Sequence, residues 1–189
     1  MKIIIGLGNP GKEYGQTRHN VGFKILDHIS KKYKGDFSFD KKSDSEISEV
    51  KIDGKKVLLA KPQTFVNKSG EAVKKIIENC PPAGGLKIEN LVVVHDDLDI
   101  PFGKVRVSFG RSSAGHKGVE SIIKALKTDK FSRIRFGTFN HQLARARKVK
   151  DKRKRLNEMN KFVISPFGPN EKPKLNRLIK IAAEKALQL

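Results

Sequence analysis

Short apolar runs of strand character alternate along this chain with segments whose apolar residues recur at helical spacing. Residues 3–5 read Ile-Ile-Ile and residues 91–94 read Leu-Val-Val-Val, which is typical of strands buried on both faces. Over residues 21–33, 72–77 and 119–126 the apolar side chains instead repeat every three or four positions, as in amphipathic helices. This alternation predicts an α/β fold, with a mixed, largely parallel twisted sheet sandwiched by helices.

The domain organisation follows from the chain length and from local signals. A length of 189 residues fits a single domain, 1–189, with room for a core. Asp53-Gly54 stands between two apolar runs and predicts a tight hairpin. The single cysteine, Cys80, excludes an internal disulfide. No apolar run approaches the roughly 20 residues that span a bilayer, so we expect a cytoplasmic protein without membrane association.

Charge indicates the class of partner. The chain carries 40 Lys and Arg against 20 Asp and Glu, a formal net charge of +20. Eight basic residues and one acidic residue, Asp151, fall between Arg145 and Arg155, and we expect residues 142–157 to be a basic inserted loop. Such a field attracts phosphate backbones independently of their sequence. Aromatic residues make up only 7%, which favours contacts to phosphates over a long base-stacking platform.

A glycine-rich segment, residues 6–11, follows the first predicted strand and reads Gly-Leu-Gly-Asn-Pro-Gly. Its spacing matches the dinucleotide-binding fingerprint. Because Pro10 lacks an N–H and no helix begins at the loop to meet a pyrophosphate, we do not expect a dinucleotide there. Two interpretations stay open: the glycines serve only a tight turn, or the loop brings Asn9 and the later His19 to the same cleft.

Three histidines, His19, His95 and His116, fall at predicted strand ends or loops beside acidic residues and glycines. Ester hydrolysis near neutral pH needs a base with a pKa near 7, which histidine supplies. A carboxylate on the other ring nitrogen fixes the tautomer, and the candidates are Asp96, Asp97 and Asp99. No serine or cysteine nucleophile is indicated, so the base would activate water directly. The same acids could instead hold Mg²⁺ in a metal-dependent nuclease.

Four segments, in order, resemble the signatures of the bacterial-type peptidyl-tRNA hydrolase family. They are residues 6–23, 61–70, 95–103 and 114–118. The resemblance is close over about residues 1–137 and weaker beyond them. It implies an enzyme that hydrolyses the ester between a peptide and the 3′ end of tRNA, releasing tRNA for reuse in translation, without a metal or any other cofactor.

Carried over by position, the resemblance implies roles for individual residues. His19 would be the general base for water, and Asp96 would orient His19 and stabilise its working form. Asn9 would help to distinguish a blocked, peptide-like amine from a free amino group. Asn67 would hold the substrate and the water.

The same resemblance places the tRNA. Its 3′ end would lie against Tyr14 and Phe65, and its phosphates near Arg106 and Arg135. Lys117 departs from the family pattern, which usually has asparagine there. A lysine can only donate, and its charge could stabilise an oxyanion, grip a phosphate or lower the pKa of His19. We expect a monomer that binds peptidyl-tRNA.

Two alternative functions stay open beside hydrolysis. One is an RNA-binding relative that keeps the fold but has reduced or lost hydrolase activity, because Lys117 departs from the family pattern on the tRNA-binding side. The other is the metal-dependent nuclease, which sensitivity to EDTA would expose. The intact pair of His19 and Asp96 favours hydrolysis by activated water.

Overall fold

The computed structural model describes residues 1–79 and 88–189, where strands and helices alternate as the apolar pattern predicts. The strands are β1 (Lys2–Gly6), β2 (Ser38–Asp40), β3 (Ser45–Ile52), β4 (Lys55–Pro62), β5 (Leu91–Pro101), β6 (Val105–Phe109) and β7 (Ser132–Phe139). The helices are α1 (Val21–Lys32), α2 (Ser69–Asn79), α3 (Lys117–Leu126), α4 (His141–Arg147), α5 (Lys152–Val163) and α6 (Lys172–Gln188). A 3₁₀ turn, Arg18–Asn20, leads directly into α1.

The strands form one sheet of seven, in the order β2-β3-β4-β1-β5-β7-β6. The four central strands run parallel, and Ile4 of β1 lies opposite Leu59 of β4 and Val92 of β5. The flanking strands β2, β3 and β6 pair antiparallel with their neighbours. The predicted mixed sheet with a parallel centre is therefore confirmed.

Apolar cores fill both faces of the sheet. Ile4 packs with α1 and α6 on one face, whereas Ile3 and Ile5 pack with α2 and α3 on the other. Successive side chains of a strand point to opposite faces, so an uninterrupted apolar run needs cover on both sides. Each of these isoleucines is 0% exposed, and full burial of such a side chain contributes about 1.5–3 kcal/mol. The predicted sandwich of helices around the sheet is confirmed.

The predicted hairpin at Asp53-Gly54 joins β3 to β4. Both turn residues have positive φ, 48° at Asp53 and 77° at Gly54, as a tight two-residue hairpin turn requires. The turn chemistry visible in the sequence therefore specifies the register of these two strands.

Two further expectations concern disulfides and membrane spans. Cys80, on which the argument about disulfides depends, lies outside the described residues. Within residues 1–79 and 88–189, no helix has both the length and the apolar character needed to cross a membrane.

The basic segment 142–157 is largely helical, so the prediction of an inserted loop is wrong. Asn140 caps α4, its Oδ1 accepting from the Leu143 N–H at 3.1 Å, and Asp151 caps α5, its Oδ1 accepting from the Lys154 N–H at 2.7 Å. Such caps contribute about 0.5–2 kcal/mol each. Leu143 and Phe162 are buried and attach the two helices to the domain, while the basic side chains mostly face solvent.

Strand β5 extends further than its apolar run predicts. Its pairing with β7 continues through Asp96, opposite Phe136, and Asp97, opposite Gly137. These acidic residues, and His95 before them, are therefore strand residues and not loop residues. Pairing with β7 fixes the position of Asp96 at the carboxyl edge of the parallel sheet, where α/β proteins place their sites.

Candidate active site

His19 and Asp96, 77 residues apart in the chain, are joined by a hydrogen bond at the carboxyl edge of the sheet. His19 Nδ1 and Asp96 Oδ1 are 2.7 Å apart, and both residues are buried. Because a carboxylate accepts, Nδ1 carries the proton and Nε2 keeps its lone pair. Among the described residues, Nε2 of His19 has no hydrogen-bond partner. The predicted pair of base and carboxylate is brought together.

Burial and charge act in opposite directions on His19. Burial lowers the pKa of His19, but the charge of Asp96 and its hydrogen bond together outweigh this and raise the pKa above its usual value. The Lys117 ammonium lowers the pKa of His19 in turn. The pKa of Asp96 lies far below its usual range: burial alone would raise it, whereas the charge of His19 and the hydrogen bonds from His116 and His19 lower it. Asp96 is therefore an ionised carboxylate beside a strengthened base.

His116 is a second histidine on the same carboxylate. It is the N-cap of α3, where its Nδ1 accepts from the N–H groups of Gly118 at 3.2 Å and Val119 at 3.3 Å. Because Nδ1 accepts, the proton lies on Nε2, which donates to Asp96 Oδ1 at 3.1 Å. His116 thus holds the same oxygen of Asp96 that His19 binds, and the two imidazole rings lie 5.1 Å apart between centroids. Histidine is not a common cap, so the sequence carries no signal for this role.

His95 lies in β5, so its place in a strand-end loop and its candidacy as a base are wrong. Its Nδ1 donates to the carbonyl oxygen of Asp96 at 2.6 Å, and its ring packs edge-on against His116 at 4.7 Å between centroids. Burial, together with the neighbouring His116, lowers the pKa of His95 well below its usual range. His95 does not line the cleft. It supports the cluster as a neutral ring.

The acidic cluster divides among different partners. Asp96 faces the histidines, Asp97 Oδ2 accepts from Arg135 Nε at 2.7 Å, and Asp99 Oδ1 accepts from Arg147 Nη2 at 2.6 Å. Asp97 and Asp99 are therefore not partners of a catalytic histidine. Carboxylates that point to separate arginines do not converge on one point, as a Mg²⁺ site requires.

One group of side chains in the described part of the chain has the spacing of a metal site. The possible ligand atoms of His19, Asp96 and His116 lie within 4.8 Å of one another. Their hydrogen bonds do not suit a resident ion. A metal on His116 Nε2 would leave the proton on Nδ1, directed at the Gly118 and Val119 N–H groups that Nδ1 now accepts from. The donors fit a histidine–carboxylate hydrogen-bond cluster better than a metal centre.

A cleft of about 190 Å³ opens beside the pair of His19 and Asp96. Its lining includes Lys117, at the first position of α3, and an apolar stripe from α5: Leu156, Met159 and Val163. The segment expected to be a basic loop therefore supplies part of the cleft wall. The three apolar residues recur at helical spacing in the sequence, but the many charged residues around them favour the prediction of a loop.

Asn9 is held in the loop after β1 by a neighbouring amide. Its backbone N–H donates to Asn20 Oδ1 at 3.0 Å, and its carbonyl accepts from Asn20 Nδ2 at 2.8 Å. The side-chain Oδ1 of Asn9 accepts from the Val66 N–H at 2.9 Å, so its NH₂ group is the part left for a ligand. Since Asn20 directly follows His19, the loop joins Asn9 to the histidine turn. Asn20 is a supporting residue that the sequence reasoning missed.

Tyr14 and Phe65 meet at the surface next to Asn9. Their rings are 6.4 Å apart between centroids and nearly perpendicular, at 85°. Phe65 is 57% exposed, which leaves one aromatic face for stacking. Asn67 is exposed and does not belong to the lining of the cleft. The structure therefore brings the two aromatic residues together and leaves Asn67 apart from the cluster.

Arg106 and Arg135 lie opposite each other in the pairing of β6 with β7. Their side chains share a face, as directly opposed residues do. Arg106 is exposed, whereas Arg135 is half-buried and oriented by its bond to Asp97. The expected pair of arginines is brought together beside the strand that carries Asp96.

The fold and the cluster together define a class of protein. A sheet covered on both faces holds a buried histidine–carboxylate pair at its carboxyl edge, and the histidine lines an open cleft. Such a pair can activate water by general base catalysis. This combination fits a hydrolase of α/β fold whose site can activate water.

Comparisons with known proteins identify the family. The family model described as peptidyl-tRNA hydrolase matches residues 3–189. Peptidyl-tRNA hydrolase of Aquifex aeolicus is 42% identical over 182 residues, covering 96% of this chain and 86% of the relative. That of Thermodesulfovibrio yellowstonii is 38% identical over 189 residues, covering 97% and 89%. The crystal structure of peptidyl-tRNA hydrolase from Acinetobacter baumannii matches with a TM-score of 0.82 at 29% identity, covering 100% of this chain and 88% of that chain. The chain therefore belongs to the peptidyl-tRNA hydrolase family.

Proposed function

We propose that this chain hydrolyses the ester between a peptide, or another N-blocked aminoacyl group, and the 3′ end of tRNA, with His19 as the base that activates water. The observation that carries the proposal is the 2.7 Å bond from His19 Nδ1 to Asp96, which leaves the Nε2 lone pair of a cleft-lining histidine available. The products are a peptide acid and free tRNA for reuse in translation.

The reaction needs one base and one proton carrier. Water held at His19 Nε2 attacks the carbonyl carbon of the ester while Nε2 takes its proton. Asp96 stabilises the resulting imidazolium through the charge and hydrogen bond that raise the pKa of His19. As the bond from the carbonyl carbon to the tRNA oxygen breaks, His19 returns the proton to that oxygen.

Lys117 has two roles in this proposal. It lines the cleft with His19 and lies at the N-terminus of α3, where its ammonium and the helix dipole both favour a developing oxyanion. Lys117 also lowers the pKa of His19, opposing Asp96. A larger share of His19 is therefore unprotonated, and able to act as a base, at neutral pH.

Recognition of the blocked amine falls to Asn9. Because its Oδ1 already accepts from Val66, its free NH₂ group can only donate. This NH₂ group can donate to the carbonyl oxygen of an N-acyl group. It cannot bond to a free α-ammonium, which is itself a donor. Asn67, exposed on the turn before α2, would contact the same part of the substrate from outside the cleft.

The tRNA binds through stacking and charge. Its terminal base would stack on the exposed Phe65 and its partner Tyr14, and its phosphates would meet Arg106 and the guanidinium edge of Arg135 that Asp97 leaves open. The solvent-facing basic side chains of α4 and α5 extend this field. The apolar stripe of α5 suits the side chains of the departing peptide. We further propose that the protein acts as a monomer, in the cytoplasm and without a metal.

The test is the release of N-acetyl-aminoacyl groups from tRNA in EDTA, with wild type beside His19→Ala. The matched control is His28→Ala, which removes a histidine of α1 that does not line the cleft. Hydrolysis by wild type and by the control, lost in His19→Ala, supports the proposal. Retained tRNA binding without hydrolysis by wild type would instead favour the RNA-binding relative. Cleavage within the tRNA chain in a parallel assay with Mg²⁺ in place of EDTA would favour the nuclease.

A further inference from the structure

The guanidinium of Arg18, next to the catalytic His19, is buried between the 3₁₀ turn and the segment before α6. Its side chain is 2% exposed. One nitrogen donates to Ser165 Oγ at 2.7 Å and to the Pro166 carbonyl, and the other donates to Glu171 Oε2 at 2.6 Å. Arg18 therefore anchors the turn that carries His19 to a distant part of the chain.

Arg18 also contacts the helix that lines the cleft. Its guanidinium carbon lies 4.4 Å from the ring centroid of Phe162 and 5.3 Å from that of Phe167. Phe162 belongs to α5 and directly precedes Val163, which lines the cleft. A single side chain thus supports the turn of His19 on one side and the α5 wall on the other.

Glu171 extends this connection to α4. Its Oε2 accepts from Arg18 and from the Gly168 N–H at 2.6 Å, and its Oε1 accepts from Asn140 Nδ2 at 2.9 Å. The Oδ1 of the same Asn140 caps α4 by accepting from the Leu143 N–H. One buried carboxylate therefore ties the histidine turn, the segment before α6 and the start of α4 together.

We propose that Arg18, Glu171 and Asn140 are positioning residues that set the distance between His19 and the α5 wall, and so determine how an N-blocked peptidyl group is held for attack. The proposal rests on the function proposed above. A buried ion pair adds little net stability to a fold, because desolvation offsets its attraction. The geometry that this network imposes on both sides of the cleft is therefore its main contribution.

Two variants separate positioning from folding. Asn140→Asp keeps the cap of α4, since aspartate caps as well as asparagine, but it places a second carboxylate against Glu171 Oε1. Glu171→Gln removes one acceptor and directs an NH₂ group at either Arg18 or Asn140. We expect kcat/KM for a tetrapeptidyl-tRNA to fall about tenfold, within the range that misplacement of substrate costs. N-acetyl-glycyl-tRNA has no side chain to place against the α5 wall, so it should lose less than about threefold.

The matched control is Ser30→Ala, at the opposite end of α1 from His19. It removes a partly buried hydrogen bond to the Gly35 carbonyl at 2.7 Å and a buried one to Ser48 Oγ at 3.0 Å, so it lowers stability without touching the cleft. All variants are compared at equal folded fraction, with Tm measured alongside. Equal losses on both substrates, or losses that track Tm as in the control, would overturn the positioning role. Failure of wild type on both substrates would instead reject the proposed function, and the inference with it.

Discussion

The change Asp96→Asn tests the electrostatic basis of catalysis most sharply. It keeps the size of the side chain and an oxygen that can accept from His19 Nδ1 and His116 Nε2, and it removes only the charge. In wild type, the charge and hydrogen bond of Asp96 outweigh the burial that lowers the pKa of His19. In the variant, only a hydrogen bond to a neutral amide oxygen opposes burial and the Lys117 charge, so the pKa of His19 falls relative to wild type.

The magnitude follows from the charge that His19 gains during the reaction. Leaving one member of a buried pair without its charged partner costs about 3–5 kcal/mol. In the proposed mechanism that cost falls on the transition state, where His19 accepts the proton of water. At about 1.4 kcal/mol for each factor of ten, kcat/KM should fall about 10²- to 10⁴-fold at the pH plateau.

The assay is release of N-acetyl-aminoacyl groups from tRNA between pH 5 and 9, with tRNA binding measured in parallel. Only unprotonated His19 acts as a base, so the rate rises with pH through the pKa of His19. In wild type this midpoint should lie above 6.5, the usual value for histidine, because the pKa is raised. In Asp96→Asn the midpoint should move to lower pH while the plateau falls. An unchanged plateau, or a midpoint that moves to higher pH, would refute the reasoning.

Three further changes test other parts of the site. Lys117→Met removes both the charge that lowers the pKa of His19 and the N–H donors, so the pH midpoint should rise, and loss of an oxyanion partner should lower the plateau about 10²-fold; an unmoved midpoint contradicts this. Replacing Lys152, Arg153 and Lys154 by Gln should weaken tRNA binding and reduce the slope of log affinity against log salt by about 2, with the rate on bound substrate unchanged; an unchanged slope contradicts the contact. Phe65→Ala should weaken binding of tRNA with an intact 3′ end by about 1–3 kcal/mol, whereas Phe39→Ala, equally exposed on β2, should not; equal losses in both variants contradict stacking.

Local signals in the sequence predict much of the fold. The isoleucine run of β1 and the turn at Asp53-Gly54 specify strands and register because their information is contained in adjacent residues. Local signals do not predict the full length of β5, because its acidic end becomes a strand only by pairing with β7. Likewise, Asn140 and Asp151 are ordinary helix caps, yet the charge of residues 142–157 favoured the prediction of a loop.

For the candidate site too, the sequence predicts some features and not others. The family motifs name His19 and Asp96, but nothing local shows that the two side chains, 77 residues apart, share a hydrogen bond. Which of Asp96, Asp97 and Asp99 pairs with His19 depends on the cationic side chain that each carboxylate contacts. Asp97 contacts Arg135 only because β5 pairs with β7. The second bond to Asp96, from His116, depends on a helix cap that no sequence pattern indicates. The residue types therefore suggest which side chains could form the site, but contacts between distant parts of the chain decide which of them do.

The central claim is that the Nε2 of His19 activates the attacking water, and His19→Asn tests it directly. The amide NH₂ of asparagine can replace the Nδ1–H bond to Asp96, so the buried carboxylate stays satisfied while the base is removed. The measurement is the single-turnover rate on N-acetyl-aminoacyl-tRNA, with the affinity for the same substrate. We predict an affinity within about threefold of wild type and a rate lower by at least about 10²-fold, the range of general base catalysis. A rate close to wild type would contradict the account.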